Sequence, residues 1–176
     1  MLVRCAWLPS STVHLTMHRE TNCKQLQLSP GASNLQVLYN IARSVSELHA
    51  SGFVHRDIQP SNVIKLAHEN RWSVISFRRT VRAGSSARVR YSLAYAAPEA
   101  VSADVNGKRH MLVTPALDSW SLGILAMELF TGKAVFDSSM SDHDVRFMFD
   151  ACPQCTTFAP ATGYIKLDTH SQRVWL

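Results

Sequence analysis

The sequence predicts a mainly α-helical domain of the α+β class, built from two helices and one strand pair. Residues 34 to 50 carry apolar side chains at spacings of three and four, the pattern of an amphipathic helix. Residues 118 to 130 are apolar on nearly all faces, which is typical of a helix buried in a core. Between them, residues 63 to 66 and 72 to 75 indicate two short strands around a turn at 68 to 70.

Composition indicates one globular domain. The chain has 176 residues, of which 46% are apolar and 18% charged, so the class of disordered chains is excluded. The net charge is +5, but the basic residues are dispersed except around 78 to 90, and we predict no nucleic-acid partner. No run approaches the roughly 18 apolar residues of a membrane span, and residues 1 to 9 lack a signal-peptide core. We therefore expect a cytoplasmic protein without a membrane partner.

The first predicted helix has signals at both ends. Asn34 is a favourable N-cap, and Gly52 follows the helix in the C′ position. We interpret His49 as a helix-end histidine favoured by the helix dipole, without a catalytic role. The expected apolar stripe consists of Leu35, Leu38, Ile41, Ala42, Val45, Leu48 and His49.

The loop after this helix holds the residues with the clearest chemistry. His55, Arg56 and Asp57 are consecutive, and Asn62 follows five residues after Asp57. A carboxylate and an amide at this spacing on one tight loop can face a single phosphate from two sides, and Pro60 suits the bend between them. The alternative is a polar surface turn that contains this triplet by chance.

This stretch resembles the catalytic loop of eukaryotic protein kinases, H-R-D-x-x-x-x-N, with a Ser/Thr-type flank. The resemblance implies that Asp57 is the base, that Asn62 binds Mg²⁺ at the nucleotide site, and that Arg56 holds an anionic activation loop. It also implies ATP and Mg²⁺ as cofactors. Gln59 stands at the catalytic position where such kinases carry a Lys that contacts the transferring phosphate, so charge stabilisation there should be weaker.

Further motifs follow in the family's order. Residues 97 to 99 match A-P-E, residues 118 to 123 match D-x-W-S-x-G, and residues 167 to 173 resemble the late L-D-P-x-x-x-R run without its Pro. The resemblance implies that Asp118 accepts backbone N–H groups of the catalytic loop and that Glu99 pairs with Arg173. The positions with an implied structural role are His55, Glu99, Asp118, Trp120, Gly123 and Arg173.

One triplet departs from the family pattern. Ser76, Phe77 and Arg78 stand where kinases have D-F-G, so the cofactor position 76 offers a neutral hydroxyl instead of the carboxylate that Mg²⁺ prefers. Arg78 or Arg79 could meet phosphate in place of the metal. Residues 79 to 96 would then be the activation segment, which we expect to be a solvated loop, with a regulated phosphosite as the alternative.

The resemblance covers one lobe. No Gly-rich loop, strand Lys or partner Glu helix precedes residue 34, although kinases use these parts to clamp ATP. We expect a protein-kinase-like large lobe over residues 34–176 with a small catalytic-loop hairpin. Residues 1–33 would be a vestigial hinge and last small-lobe strand. A truncated product or a partial gene model explains the pattern equally well.

The four cysteines do not suggest a disulfide framework. Cys152 and Cys155 form a lone C-x-x-C, whereas structural zinc takes four ligands, so we interpret them as incidental.

Two functions of different classes remain open. The first is a catalytically impaired, pseudokinase-like module that binds a protein partner or regulates it. The second is a Ser/Thr protein kinase fragment that transfers phosphate from ATP to protein and needs a small lobe absent from this chain. Gln59 and Ser76 favour the first, and the retained Asp57 and Asn62 favour the second.

Overall fold

The computed structural model describes residues 5–6, 14–15, 24–26, 33–66 and 71–136. In this part of the chain, no helix is long and apolar enough to cross a membrane. The strands are β1 Cys5–Ala6, β2 His14–Leu15, β3 Lys24–Gln25, β4 Phe53–Val54, β5 Val63–Leu66, β6 Arg71–Val74, β7 Val81–Arg82, β8 Ser86–Arg88 and β9 His110–Leu112. The helices are α1 Asn34–Ala50, α2 Pro98–Val105 and α3 Ala116–Thr131.

The main core lies between α1, α3 and the β5–β6 pair. Its buried members are Leu26, Val37, Ile41, Val45, Ile58, Val63, Val74, Leu125 and Leu129. The predicted stripe on α1 was wrong at one end, because Leu35 is 69% exposed and Val37 is buried instead. Asn34 is the first residue of α1 and not its cap, and its side-chain amide donates a hydrogen bond to the carbonyl of Leu129 on α3.

Helix α3 buries one face only, which differs from the expectation of an all-round apolar contact. Leu117, Ile124 and Leu125 are buried, whereas Met127 and Phe130 are about half exposed. The helix ends where Gly132 adopts a left-handed conformation with φ of 68°. Its N–H donates to the carbonyl of Glu128, as a C-terminal glycine does.

The predicted hairpin is present as β5 and β6, which pair antiparallel, although its turn lies outside the described residues. Strand β3 pairs with β5 on the other edge, giving the order β3-β5-β6. Separately, β1 pairs with β2. The division between residues 1–33 and 34–176 stays a prediction, although β3 shares a sheet with the later hairpin.

Residues 79 to 96 contain regular structure, in contrast to the expected loop. Strand β7 pairs with β4, so this segment is tied to the strand that precedes the catalytic-type loop. Strand β8 pairs with β9, which lies in the connection between α2 and α3. Both pairings are made by backbone groups, so they position the segment independently of most side chains.

Candidate active site

The Asp118 carboxylate fixes the loop that carries His55, Arg56 and Asp57. Asp118 lies in the first turn of α3 and its side chain is fully buried. Its Oδ2 accepts from the backbone N–H of His55 at 2.7 Å, and its Oδ1 accepts from the backbone N–H of Arg56 at 2.7 Å. The same Oδ2 lies 2.8 Å from Nε2 of His49, so His49 joins α1 to this anchor and is more than a helix-end residue.

The backbone at Arg56 is left-handed, with φ of 67°. A non-glycine residue in this region costs about 1 kcal/mol or more and persists only where its surroundings determine it. The hydrogen bonds that the N–H groups of His55 and Arg56 donate to Asp118 hold this conformation. The consequence is a sharp turn immediately before Asp57.

The ring of His55 stabilises the turn through hydrogen bonds to the main chain. Its ring is fully buried, and Nε2 lies 3.0 Å from the carbonyl of Ile75, so Nε2 carries the proton and donates. Nδ1 accepts from the backbone N–H of Asp57 at 3.2 Å. Burial lowers the pKa of His55 more than nearby Asp118 raises it, which agrees with a neutral ring. The ring also makes an edge contact with Phe77, with centroids 5.3 Å apart.

Three side chains converge on one oxygen of Asp57. Its Oδ1 accepts from Nε2 of Gln59 at 2.9 Å, from Nη1 of Arg79 at 2.9 Å and from Oγ of Ser92 at 3.0 Å. Asp57 is 9% exposed and Arg79 is 31% exposed. Among the described residues, no hydrogen-bond partner contacts Oδ2 of Asp57.

Gln59 and Arg79 make the same pair of contacts. Each donates to Oδ1 of Asp57, and each also lies 3.2 Å from Oγ of Ser92. Arg79 therefore supplies a positive charge beside Asp57, where Gln59 is neutral. Sequence reasoning placed Arg79 near phosphate and did not find its pairing with Asp57.

Asn62 closes the loop from its far end. It ends a short 3₁₀ turn begun by Pro60, and its Nδ2 donates to the main-chain carbonyl of Asp57 at 2.8 Å. Its own carbonyl accepts from the N–H of Ile75, the residue before Ser76. Ser76 is left-handed, with φ of 71°. The structure thus brings Asn62 and the segment of Ser76 to the same loop as Asp57.

The donor set does not fit Mg²⁺ well. This ion takes oxygen ligands in near-octahedral geometry, and carboxylates are its usual protein ligands. Ser76 is neutral, Asp57 is paired with Arg79, and Asn62 contributes only a neutral amide oxygen. In the described ranges, no group of three His, Cys, Asp or Glu side chains could hold a metal ion.

The Arg56 side chain points toward β8. Its Nη2 donates to the main-chain carbonyl of Arg88 at 2.5 Å. Desolvation, and then the positive charge of Arg79, lower the pKa of Arg56, and Arg90 adds to this effect. Arg56 and Arg90 also line a pocket that reaches Asp57. This side of the site is thus rich in positive charge.

The remaining sequence-predicted positions lie away from Asp57. Trp120 is partly buried among Val101 and its neighbours, and Gly123 lies on an exposed part of α3. Desolvation raises the pKa of the Glu99 carboxyl even though its side chain is exposed. Arg173 lies outside the described residues, so its pairing with Glu99 stays a prediction.

A second buried carboxylate was not foreseen. Glu128 is 1% exposed and accepts from the Tyr95 hydroxyl at 2.7 Å and from the N–H of Val135 at 3.1 Å. Burial, and then the bond to Glu128, raise the pKa of Tyr95. A single Glu within an otherwise apolar helical run was the sequence signal for it.

The chain matches the family model of the protein kinase domain over residues 13–172. It is 33% identical over 112 residues to an Aurora kinase of Schizosaccharomyces pombe, covering 62% of this chain and 29% of that protein. It is 29% identical over 143 residues to the serine/threonine-protein kinase Kist of Mus musculus, covering 69% of this chain and 34% of that protein. The chain thus spans about a third or less of these relatives.

A solved structure shows the same fold. The structure of a rhoptry kinase from Toxoplasma gondii aligns with a TM-score of 0.52 and 26% identity, over 58% of this chain and 30% of that chain. Together with the match over residues 13–172, it shows that this chain belongs to the eukaryotic protein kinase family.

Proposed function

We propose that this chain is a kinase-like domain that is impaired in phosphotransfer and acts by binding a protein partner. The contact that carries the proposal is the Arg79–Asp57 ion pair, at 2.9 Å. It takes up one oxygen of the carboxylate that would accept a proton from a substrate hydroxyl. Ser76 adds to the impairment, because a neutral hydroxyl stands where a metal carboxylate would be needed.

The test measures nucleotide binding and phosphotransfer on the same preparation. Binding of a fluorescent ATP analogue should not tighten when Mg²⁺ is added, and phosphate transfer should equal that of Asp57→Asn. Ser76→Asp is the matched variant, because it restores the carboxylate and should make nucleotide binding respond to Mg²⁺. Turnover by the unaltered chain that Asp57→Asn abolishes would overturn the proposal.

The second candidate is a Ser/Thr kinase whose remaining parts lie in a longer protein. The observation in its favour is that Oδ2 of Asp57 has no hydrogen-bond partner in the described part of the chain and can still accept a proton. Asn62 also keeps its bond to the loop carbonyl. Turnover by a longer protein containing this chain, lost on Asp57→Asn, would support this candidate over the first.

A further inference from the structure

We infer that the β8–β9 pair is a docking surface for an extended acidic peptide. The inference rests on the proposed binding function and names the chemistry of the partner. We define the basic ribbon as residues 86–90 and 108–112, which contain β8 and β9. It is separate from the contacts that hold Asp57.

The ribbon has one solvent-facing side. Exposure alternates along both strands, so Ala87 and Met111 face the protein while Arg88 and His110 face outward. The register places Arg88 directly opposite His110. Ala87 and Met111 pack against the cluster formed by Val54 and its neighbours, which fixes the orientation of the ribbon.

Two more basic residues continue the outward face. The N–H of Val89 donates to the carbonyl of Arg109 at 3.0 Å, so the pairing extends beyond the strand ends. Extended by one more residue, this register would set Arg90 opposite Lys108, and both are exposed. The outward face thus presents two rows of basic side chains, about 5 Å apart across the strands and about 7 Å apart along them.

This arrangement is unfavourable without a partner. Arg90 and Lys108 would carry like charges opposite each other, which destabilises a strand pair. Within the described residues, the ribbon contains no Asp or Glu, and its cations make no ion pair. Its four Lys and Arg residues nearly equal the net charge of +5, so the remainder of the chain is close to neutral. An anionic ligand would relieve this repulsion.

The spacing favours an extended peptide. Acidic side chains at every second position of an extended chain lie about 7 Å apart, which matches the spacing of Arg88 and Arg90. Leu112 continues the outward face and is 63% exposed, so it offers an apolar contact beyond the acidic pairs. The ribbon lacks Phe, Trp and Tyr, whereas grooves for single-stranded nucleic acid combine cations with such stacking rings.

The ribbon leads to the candidate site. Arg90 lines the pocket that reaches Asp57, and Arg56 donates to the main chain of Arg88. A peptide bound along the ribbon would therefore lie beside the kinase-type loop.

The test uses a short fluorescein-labelled peptide in which Glu alternates with Ser and Leu closes both ends. Because its residue order is the same from either end, the peptide can bind parallel or antiparallel to β8 with the same side chains. We expect the double variant Arg88→Gln with Lys108→Gln to bind it about fivefold more weakly, since each exposed ion pair contributes about 0.2–1 kcal/mol. The matched control, Arg43→Gln with Lys133→Gln, removes two exposed charges elsewhere and should bind as the parent does. Higher salt should weaken binding.

Three outcomes would overturn the inference. They are equal binding of a peptide with Gln in place of Glu, equal losses in the two double variants, and tighter binding of oligothymidine than of the acidic peptide. Circular dichroism of both variants verifies that each is folded. Because this assay contains no nucleotide, its failure leaves the result for phosphotransfer unchanged.

Discussion

Asp118 and Asp57 are both largely shielded aspartates, and each has three hydrogen-bond partners. Asp118 spreads them over both oxygens, and two of its donors are backbone N–H groups. Asp57 takes all three on Oδ1, and all are side chains. Backbone donors cannot leave without unfolding the loop, whereas side-chain donors can rotate away. The first carboxylate therefore serves structure, and the second remains adjustable.

Removing the Asp118 carboxylate should have the largest effect. Asp118→Ala leaves the N–H groups of His55 and Arg56 and the ring of His49 without their acceptor, and we expect a loss of about 3–5 kcal/mol in the free energy of unfolding. Urea denaturation measures it. Asp118→Asn, which keeps the shape and one acceptor, should lose less. A loss below about 1 kcal/mol in the Ala variant would contradict the anchoring role.

Acid should destabilise the fold through protonation of His55. Since burial lowers the pKa of His55, the unfolded chain binds the proton first, and stability should fall as pH drops below about 6.5. One group contributes at most about 1.4 kcal/mol per pH unit. Urea midpoints between about pH 7.5 and 5.5 measure the slope.

Glu99 provides a control for the pH dependence of stability that we assign to His55. Its pKa is raised, so its contribution to stability is present at low pH and is lost as pH rises through the folded value. This sign opposes that of His55, so Glu99 cannot cause a loss of stability on acidification, and Glu99→Gln should retain that loss. Stability that stays constant or rises on acidification in the Gln variant would contradict the assignment to His55.

Removing Arg79 should cost much less than removing Asp118. The pair with Asp57 is about one-third exposed on the Arg side, and Gln59 and Ser92 still bond to the carboxylate. We expect Arg79→Gln to lower the free energy of unfolding by about 1 kcal/mol or less. Arg78→Gln, an exposed neighbour, is the matched control and should be neutral. If Arg79→Gln lost as much stability as Asp118→Ala, the proposed difference between a structural Asp118 and an adjustable Asp57 would be wrong.

A change in α3 outside both sites should stabilise the protein. Gly123 lies in the helix on an exposed position, and an added Cβ would meet no described atom within 4 Å. We expect Gly123→Ala to raise the free energy of unfolding by about 0.5–1 kcal/mol through helix propensity. The melting temperature would report it, and a decrease would show that the position requires glycine.

Local patterns predicted the parts of the fold that depend on nearby residues. The loop from His55 to Asn62 could be recognised because its chemistry lies within eight positions. Helix α1 could be recognised from its periodicity, but its buried face could not be resolved between Leu35 and Val37, since its partner surface decides that.

Contacts between distant segments were not predictable in the same way. Arg79 lies 22 positions from Asp57, and no sequence pattern indicates that the two side chains form a pair. Strand β9 is three residues long and pairs with a segment more than 20 positions earlier. This pairing depends on the path of the chain through α2, which brings β9 beside β8, and not on local propensity.

The ladder between β8 and β9 has a consequence for hydrogen exchange and for sequence variation. The amides of Val89 and Val113 donate to carbonyls across the ladder, so they should exchange with deuterium more slowly than amides of an unpaired loop. Side chains at the outward positions can change without removing these bonds. Proline at residue 89 or 113 would remove a donor, and its neighbours across the ladder should then lose their protection.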